Sequence, residues 1–120
     1  MAEIGFRYAT AADIERYYPE PIYPTMRAVA LTLDGEPAAI IGLARWATFA
    51  QFFSEYREEY RAHLKSMTTL RALKLAMRMV EETPLPVYAA AEENEPDSGR
   101  VLTRLGFVPV SENVYQWRSS

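Results

Sequence analysis

Two runs of strand-forming residues flank the dipeptide Asp34-Gly35, and this pattern constrains the fold more than any other in the chain. Residues 26–33 read MRAVALTL and residues 38–45 read AAIIGLAR. Asp-Gly supplies the positive backbone φ angles that a tight turn requires. The sequence therefore predicts a β-hairpin. Because the second arm is apolar at nearly every position, we expect it to lie inside a sheet rather than at its edge.

The composition limits the functions that such a sheet can serve. The chain has 120 residues, 49% of them apolar, which suits one compact domain over residues 1–120. It has no cysteine, which excludes disulfides, thiolate catalysis and Cys-ligated zinc and agrees with a cytoplasmic location. With a formal net charge of -3, we expect no broad binding of nucleic acid.

Two further classes of function lack their sequence signals. One histidine, and carboxylates without EF-hand or HExxH spacing, predict no metal site. No run approaches the roughly 18 apolar residues that a membrane-spanning helix needs, and residues 1–20 show no secretion-signal pattern. We therefore expect a soluble protein that is neither secreted nor bound to a membrane.

The N-terminal residues predict a strand, a helix and an extended connection. Residues 4–8 alternate as a short strand does, and Thr10 with Asp13 forms a shortened capping box for a brief helix. Three prolines then favour an extended connection over residues 19–25.

The middle of the chain contains one ambiguous and one clear segment. From Trp46 to Leu64 the aromatic residues recur at helical spacing, yet residues 47–54 also suit a central strand. Residues 67–82 are a plain amphipathic helix. Its large apolar residues predict the face that packs on the sheet beside Ile41 and Val87: Leu70, Leu73, Met77 and Val80.

The last third predicts a strand over residues 87–91, a helix that Asp97 or Ser98 caps and that ends at Gly106, and two strands over residues 107–110 and 114–117. Together the elements indicate an α/β fold with one mixed central sheet flanked by helices.

Several of these segments resemble the GNAT superfamily of acyl-CoA-dependent N-acyltransferases. The resemblance lies in VYAAAEEN at 87–94, Leu105-Gly106-Phe107 and VYQW at 114–117, and in the hairpin with its Gly-Glu-Pro-Ala at 35–38. It implies a GNAT-like sheet, acetyl-CoA as cofactor and an amine of a small molecule or protein as acceptor. Phe53-Ser54-Glu55 and the C-terminal segments also look like compact phage-encoded proteins of this type, and a homodimer is possible.

The resemblance also implies where the cofactor lies. In that fold two parallel strands, here 47–54 and 87–91, splay apart around the pantetheine arm, so the ambiguous segment becomes a strand. The pyrophosphate lies at the start of the next helix, where backbone N–H groups favour an anion. The cofactor-binding residues implied are Phe53, Ser54, Arg61, Lys65, Ser66, Met67, Thr68, Thr69 and Asn94.

Two departures from the family pattern affect the expected chemistry. Residues 57–68 contain no glycine, although the family's phosphate loop is glycine-rich. Leu102 stands where many members have a tyrosine that protonates the leaving thiolate. The remaining candidates for proton transfer are Glu92, Tyr88 and Tyr115. Two functions follow: a divergent acetyltransferase, or a catalytically inactive GNAT-fold binding or structural protein.

Overall fold

The computed structural model describes residues 3–20, 25–91 and 97–118. In chain order its elements are β1 (Ile4–Tyr8), α1 (Ala11–Tyr17), β2 (Thr25–Leu33), β3 (Glu36–Arg45), β4 (Ala50–Tyr56), a 3-10 helix (Glu58–His63), α2 (Met67–Glu82), β5 (Val87–Ala90), α3 (Ser98–Leu105), β6 (Phe107–Ser111) and β7 (Val114–Trp117).

The strands form one seven-stranded sheet with the order β1-β2-β3-β4-β5-β7-β6. The pair β4–β5 is parallel, and the other neighbouring pairs are antiparallel. The predicted α/β class with a mixed central sheet is confirmed.

The predicted hairpin forms β2 and β3, which are neighbouring internal strands of this sheet. Asp34 and Gly35 have φ angles of 51° and 85°, as the turn requires. β3 lies between β2 and β4, and both of its faces are covered, since Ile40 and Ile41 are each buried. The expectation that the second arm is internal is therefore confirmed.

α1 covers one face of the sheet and is fixed there by a buried carboxylate. The Thr10 hydroxyl accepts from the Asp13 N–H at 3.2 Å, and the Asp13 carboxylate accepts from the Thr10 N–H at 3.0 Å. Arg7 of β1 donates to both Asp13 oxygens, at 2.8 and 3.2 Å. These bonds lower the pKa of Asp13 to about 2, and the bond from Arg7 contributes most. The predicted capped helix is confirmed.

α2 has the predicted bounds but turns a different face to the sheet. Leu70 is exposed and Leu73 and Met77 are half-buried, whereas the fully buried positions include Ala72 and Ala76. Small side chains let the helix axis lie close to the strands, so the alanines pack in the core together with Met79, which is also fully buried. The predicted face was wrong at Leu70 and correct at Val80, which is buried.

The ambiguous segment contains a strand, as the family resemblance implied. β4 begins at Ala50 rather than at 47 because the preceding residues form a turn, closed by the bond from the Trp46 N–H to the Phe49 carbonyl at 2.9 Å. The helical spacing of its aromatic residues was misleading. The extended connection predicted for 19–25 falls largely outside the described residues.

Candidate functional site

The two edges of β4 differ along its length. On one side β4 pairs with β3 over seven registered residues, from Arg45↔Ala50 to Ala39↔Tyr56. On the other it pairs with β5 only at Ala50↔Val87 and Gln51↔Tyr88. Beyond Gln51 the parallel strands diverge, and a cleft opens between their carboxyl ends.

The backbone of β4 directs polar groups into this cleft. The Ala50 N–H donates to Pro86 at 2.9 Å, toward β5, and the Arg57 N–H donates to Ala38 at 2.8 Å, toward β3. Peptide groups alternate in direction along a strand. The N–H and C=O of Ser54 therefore point away from β3, into the space that β5 has left.

A cavity of about 450 Å³ lies in the cleft and extends between the sheet and the helices α2 and α3. Its floor includes Ile41 and Phe52 of the sheet, and its walls include Leu73 of α2 and Leu102 of α3. Most of the lining is apolar. The polar residues of the lining include Ser54, Glu55, Thr69, Asp97 and Ser98. A mainly apolar cavity of this size with a few polar groups is typical of small-molecule sites.

The structure brings some of the predicted cofactor residues together. Phe53, Ser54 and Thr69 line the cavity. The other members of the predicted phosphate site are at or before the first turn of α2 and do not line it: Arg61, Lys65, Ser66, Met67 and Thr68. Asn94 lies outside the described residues.

Of the predicted proton-transfer residues, the two that the structure describes, Tyr88 and Tyr115, lie away from the cavity. The Tyr88 ring packs edge-on against Phe49, at 6.1 Å between centroids. The Tyr115 hydroxyl lies against α3, where a Cβ on Gly99 would approach it to 2.5 Å. Neither tyrosine lines the cavity. Glu92 lies outside the described residues.

The glycine-free segment before α2 is held by a buried hydroxyl cluster. Tyr60 of the 3-10 helix is fully buried, and its hydroxyl lies 2.7 Å from Thr69 Oγ1. The Thr69 hydroxyl donates to the His63 carbonyl at 2.8 Å. Ser66, the N-cap residue of α2, accepts from the Thr69 N–H at 3.2 Å. Side chains thus shape this turn, and the third amide of α2 is already bonded.

The arginines of this segment have different environments. Arg57 turns back to α1, where it donates to the carbonyls of Arg16 and Tyr17. Arg61 is 3.5 Å from Glu58, with 59% of its side chain exposed. Of these two, Arg57 is the one bonded to α1, and Arg61 lies in the 3-10 helix that precedes α2.

Glu55 is a cavity residue that the sequence analysis did not single out as functional. The register aligns it with Ile40, Ala30 and Arg7 across four strands. Since Arg7 in this row holds α1, Glu55 lies on the α1 face of the sheet, while it also lines the cavity. The Tyr18 hydroxyl donates a hydrogen bond to its carboxylate. Because side chains alternate along a strand, Glu55 lies on the same face as Phe53, and the sequence could have indicated this.

Comparison with known proteins identifies the architecture. No family model and no curated protein matches the sequence. Among solved structures, Ard1 from Thermoplasma volcanium has a TM-score of 0.59 at 14% identity, with 94% of each chain covered. The chain has the GNAT fold.

Two further structures extend this result. An acyl-CoA N-acyltransferase from Pseudomonas aeruginosa has a TM-score of 0.59 at 15% identity, covering 98% of this chain and 100% of that one. A mutant AtaT toxin, bound to the C-terminus of the antitoxin AtaR, has a TM-score of 0.51 at 10% identity, covering 96% and 91%. At these identities the likeness shows the fold, and the GNAT resemblance seen in the sequence is confirmed at that level.

Leu102 is the residue by which this GNAT fold departs most clearly from the chemistry implied by the family. It is buried and lines the cavity, and it stands where the sequence resemblance implies a tyrosine in many members. A leucine there cannot donate a proton.

Two other kinds of site were sought in the part of the chain that the structure describes. No group of three or more metal-ligating side chains is found among those residues. None of their helices has the length and apolar character needed to span a bilayer.

Proposed function

We propose that this chain binds acetyl-CoA in the cleft between β4 and β5 and transfers the acetyl group to a primary amine. The observation that carries the proposal is the opening of this parallel pair beside a 450 Å³ cavity, with the backbone of Ser54 directed into it. The pantetheine arm is extended and bears amide groups, so it can add to the exposed β4 edge as a further strand would.

The start of α2 would receive the phosphates. In any α-helix the first amides have no partner within the helix, and the helix dipole favours an anion there. The amide of Thr69 is bonded to Ser66, which leaves those of Met67 and Thr68 as the helix-derived donors for the ligand. Arg61 and Lys65 would attract the phosphates, whereas the carboxylates of Glu58 and Glu59 would repel them. We therefore expect weak binding.

Glu55 is the base that this geometry favours. The acceptor nitrogen would attack the thioester carbonyl and lose a proton to the Glu55 carboxylate, and the C–S bond would then break to give the N-acetyl amine and the CoA thiolate. A thiol has a pKa near 8.5, so the thiolate can leave without an acid and take its proton from water. This route requires no hydroxyl at Leu102.

A second candidate function is a GNAT-fold binding protein without catalysis. It is favoured by Leu102 in the cavity and by a turn before α2 that the Tyr60 and Thr69 side chains, rather than glycines, shape. The mutant AtaT structure shows a protein of this fold bound to another chain, so we include a protein partner in this alternative.

Calorimetric titration with acetyl-CoA, up to millimolar concentration, tests the proposal. We expect weak binding by the wild type and its loss in the double variant Arg61→Ala with Lys65→Ala. A matched control, Lys74→Ala with Arg78→Ala, removes the same charge from exposed positions further along α2 and should bind normally. A wild type that gives no heat and no thermal shift contradicts the acetyltransferase proposal. If acetyl-CoA binds, thiol release in the presence of primary amines separates an enzyme from a binding protein.

A further inference from the structure

Arg57 links the end of β4 to the C-terminus of α1. Its guanidinium Nη2 donates to the Arg16 carbonyl at 2.9 Å and to the Tyr17 carbonyl at 3.2 Å. The last carbonyls of a helix lack partners within the helix and carry partial negative charge. One arginine therefore satisfies two of these acceptors and ties the helix end to the strand.

The same guanidinium also contacts the aromatic residues at this helix end. It lies over the Tyr17 ring at 5.0 Å, within the range of a cation–π contact. Tyr17 in turn meets Tyr18 edge to face, with 5.0 Å between ring centroids and an interplanar angle of 78°. The hydroxyl of Tyr18 donates to Glu55, two residues before Arg57. The contacts form a closed circuit from β4 through α1 and back to β4.

We propose that Arg57 is a positioning residue that holds Tyr18 on Glu55 and so fixes the carboxylate at the cleft. This inference rests on the proposed function, because that function gives Glu55 its role in acetyl transfer. It assigns to Arg57 a task different from phosphate binding, although Arg57 opens the segment in which the GNAT resemblance places the pyrophosphate.

The circuit leaves the carboxylate able to act. A carboxylate has two oxygens with about four acceptor positions. Tyr18 bonds to Oε2, so Oε1 can accept from the ammonium or amine of a substrate. Burial, followed by the bond to Glu55, raises the pKa of Tyr18, which keeps its hydroxyl protonated as the donor at neutral pH. Burial also raises the pKa of Tyr17 to about 12, against the lowering effect of Arg57.

The experiment compares Arg57→Ala with Arg57→Lys, which can still donate to carbonyls, and with Arg78→Ala as an exposed control. Tyrosine labelled with ¹³C at Cζ reports on the hydroxyl by NMR, with the Tyr18 signal assigned from Tyr18→Phe. We expect Arg57→Ala to move this signal to its position in Glu55→Ala, where the acceptor is absent. Arg57→Lys should restore it at least in part, and Arg78→Ala should leave it unchanged.

Calorimetry with acetyl-CoA on the same variants separates positioning from phosphate binding. We expect Arg57→Ala to bind acetyl-CoA within about twofold of the wild type. An unmoved Tyr18 signal in Arg57→Ala, or a loss of acetyl-CoA binding of tenfold or more with the fold intact, overturns the inference. Absence of binding by the wild type contradicts the proposed function instead, and the Tyr18 signal still decides whether Arg57 holds this side chain.

Discussion

The two boundaries of β4 differ. We call the boundary with β3 the paired seam and the boundary with β5 the open seam. The seam with β3 is paired over its whole length, with both faces of β3 covered. The seam with β5 has only two registered pairs and then opens onto the cavity. The paired edge of β4 thus contributes to the core of the sheet, and the open edge is the one on which the proposed acetyl-CoA site depends. Substitutions on the two edges should consequently affect different properties, stability at the paired edge and acetyl-CoA binding at the open one.

The largest effect is expected from truncating the core of the paired seam. Leu43 of β3 is 4% exposed and lies opposite Phe52 in the register. Leu43→Ala should lower the free energy of unfolding by roughly 2 to 5 kcal/mol. Leu73→Ala, at the half-buried cavity wall, should cost about 1 kcal/mol because part of this side chain is already exposed. Urea denaturation measures both, and equal losses would contradict the difference between the core of the paired strands and the wall of the cavity.

Proline substitution distinguishes the two edges of β4 directly. The Phe53 N–H points to β3, opposite Gly42, so Phe53→Pro should remove a ladder bond and cost roughly 1 to 3 kcal/mol by leaving a buried acceptor unpaired. The Ser54 N–H points into the cleft, so Ser54→Pro should leave the protein folded and weaken acetyl-CoA binding about tenfold. Circular dichroism and calorimetry give the two readouts. Full acetyl-CoA affinity in Ser54→Pro would show that this edge does not bind the ligand.

A tyrosine at position 102 tests whether the cavity beside the open seam can support acetyl transfer. Leu102→Tyr places a phenol at the cavity wall, where it can protonate the departing thiolate. We expect thiol release from acetyl-CoA to rise about tenfold, equivalent to ~1.4 kcal/mol in the barrier. Leu102→Phe is the matched control for side-chain size. An equal rise in both variants would attribute the effect to packing rather than to proton transfer.

The smallest effect is expected at Asp13, which α1 presents to Arg7 of the edge strand β1. The pKa of Asp13 is lowered from 3.8 to about 2 in the folded protein, so the carboxylate stabilises the fold above pH 4, and this contribution is lost as the pH falls from 4 to 2. Because Arg7 is 44% exposed, we expect only about 1 kcal/mol. Asp13→Asn should show a shallower acid dependence of stability than the wild type. Parallel acid profiles for the two proteins would contradict this assignment.

The sequence predicts elements better than it predicts which side chains meet. The bounds of α2 and the hairpin around Gly35 follow from local periodicity and turn chemistry, which need no tertiary information. The packing face of α2 was missed because large apolar residues weigh most in such a pattern, whereas close packing on the sheet selects Ala72 and Ala76. Local patterns contain no information on how near two elements will approach.

The candidate site was predicted to a similar extent. The cleft beside Phe53 and Ser54 follows from the order of elements once the GNAT resemblance identifies β4 as a strand. Glu55 was missed because its partner, Tyr18, is 37 residues away and no local spacing connects them. In the sequence Tyr60 fits a series of aromatic residues at helical spacing. In the structure its hydroxyl is bonded to Thr69 and stabilises the turn before α2.

The buried bond between Tyr60 and Thr69 has a consequence for how the protein behaves when no ligand is bound. A glycine-rich loop gains much of its order from the anion that it surrounds, since glycine has the most conformational freedom to lose. Here a phenol and a threonine already supply that order, and Tyr60 is fully excluded from solvent. Amide hydrogen exchange in this turn should therefore be slow in the free protein and change little when acetyl-CoA is added.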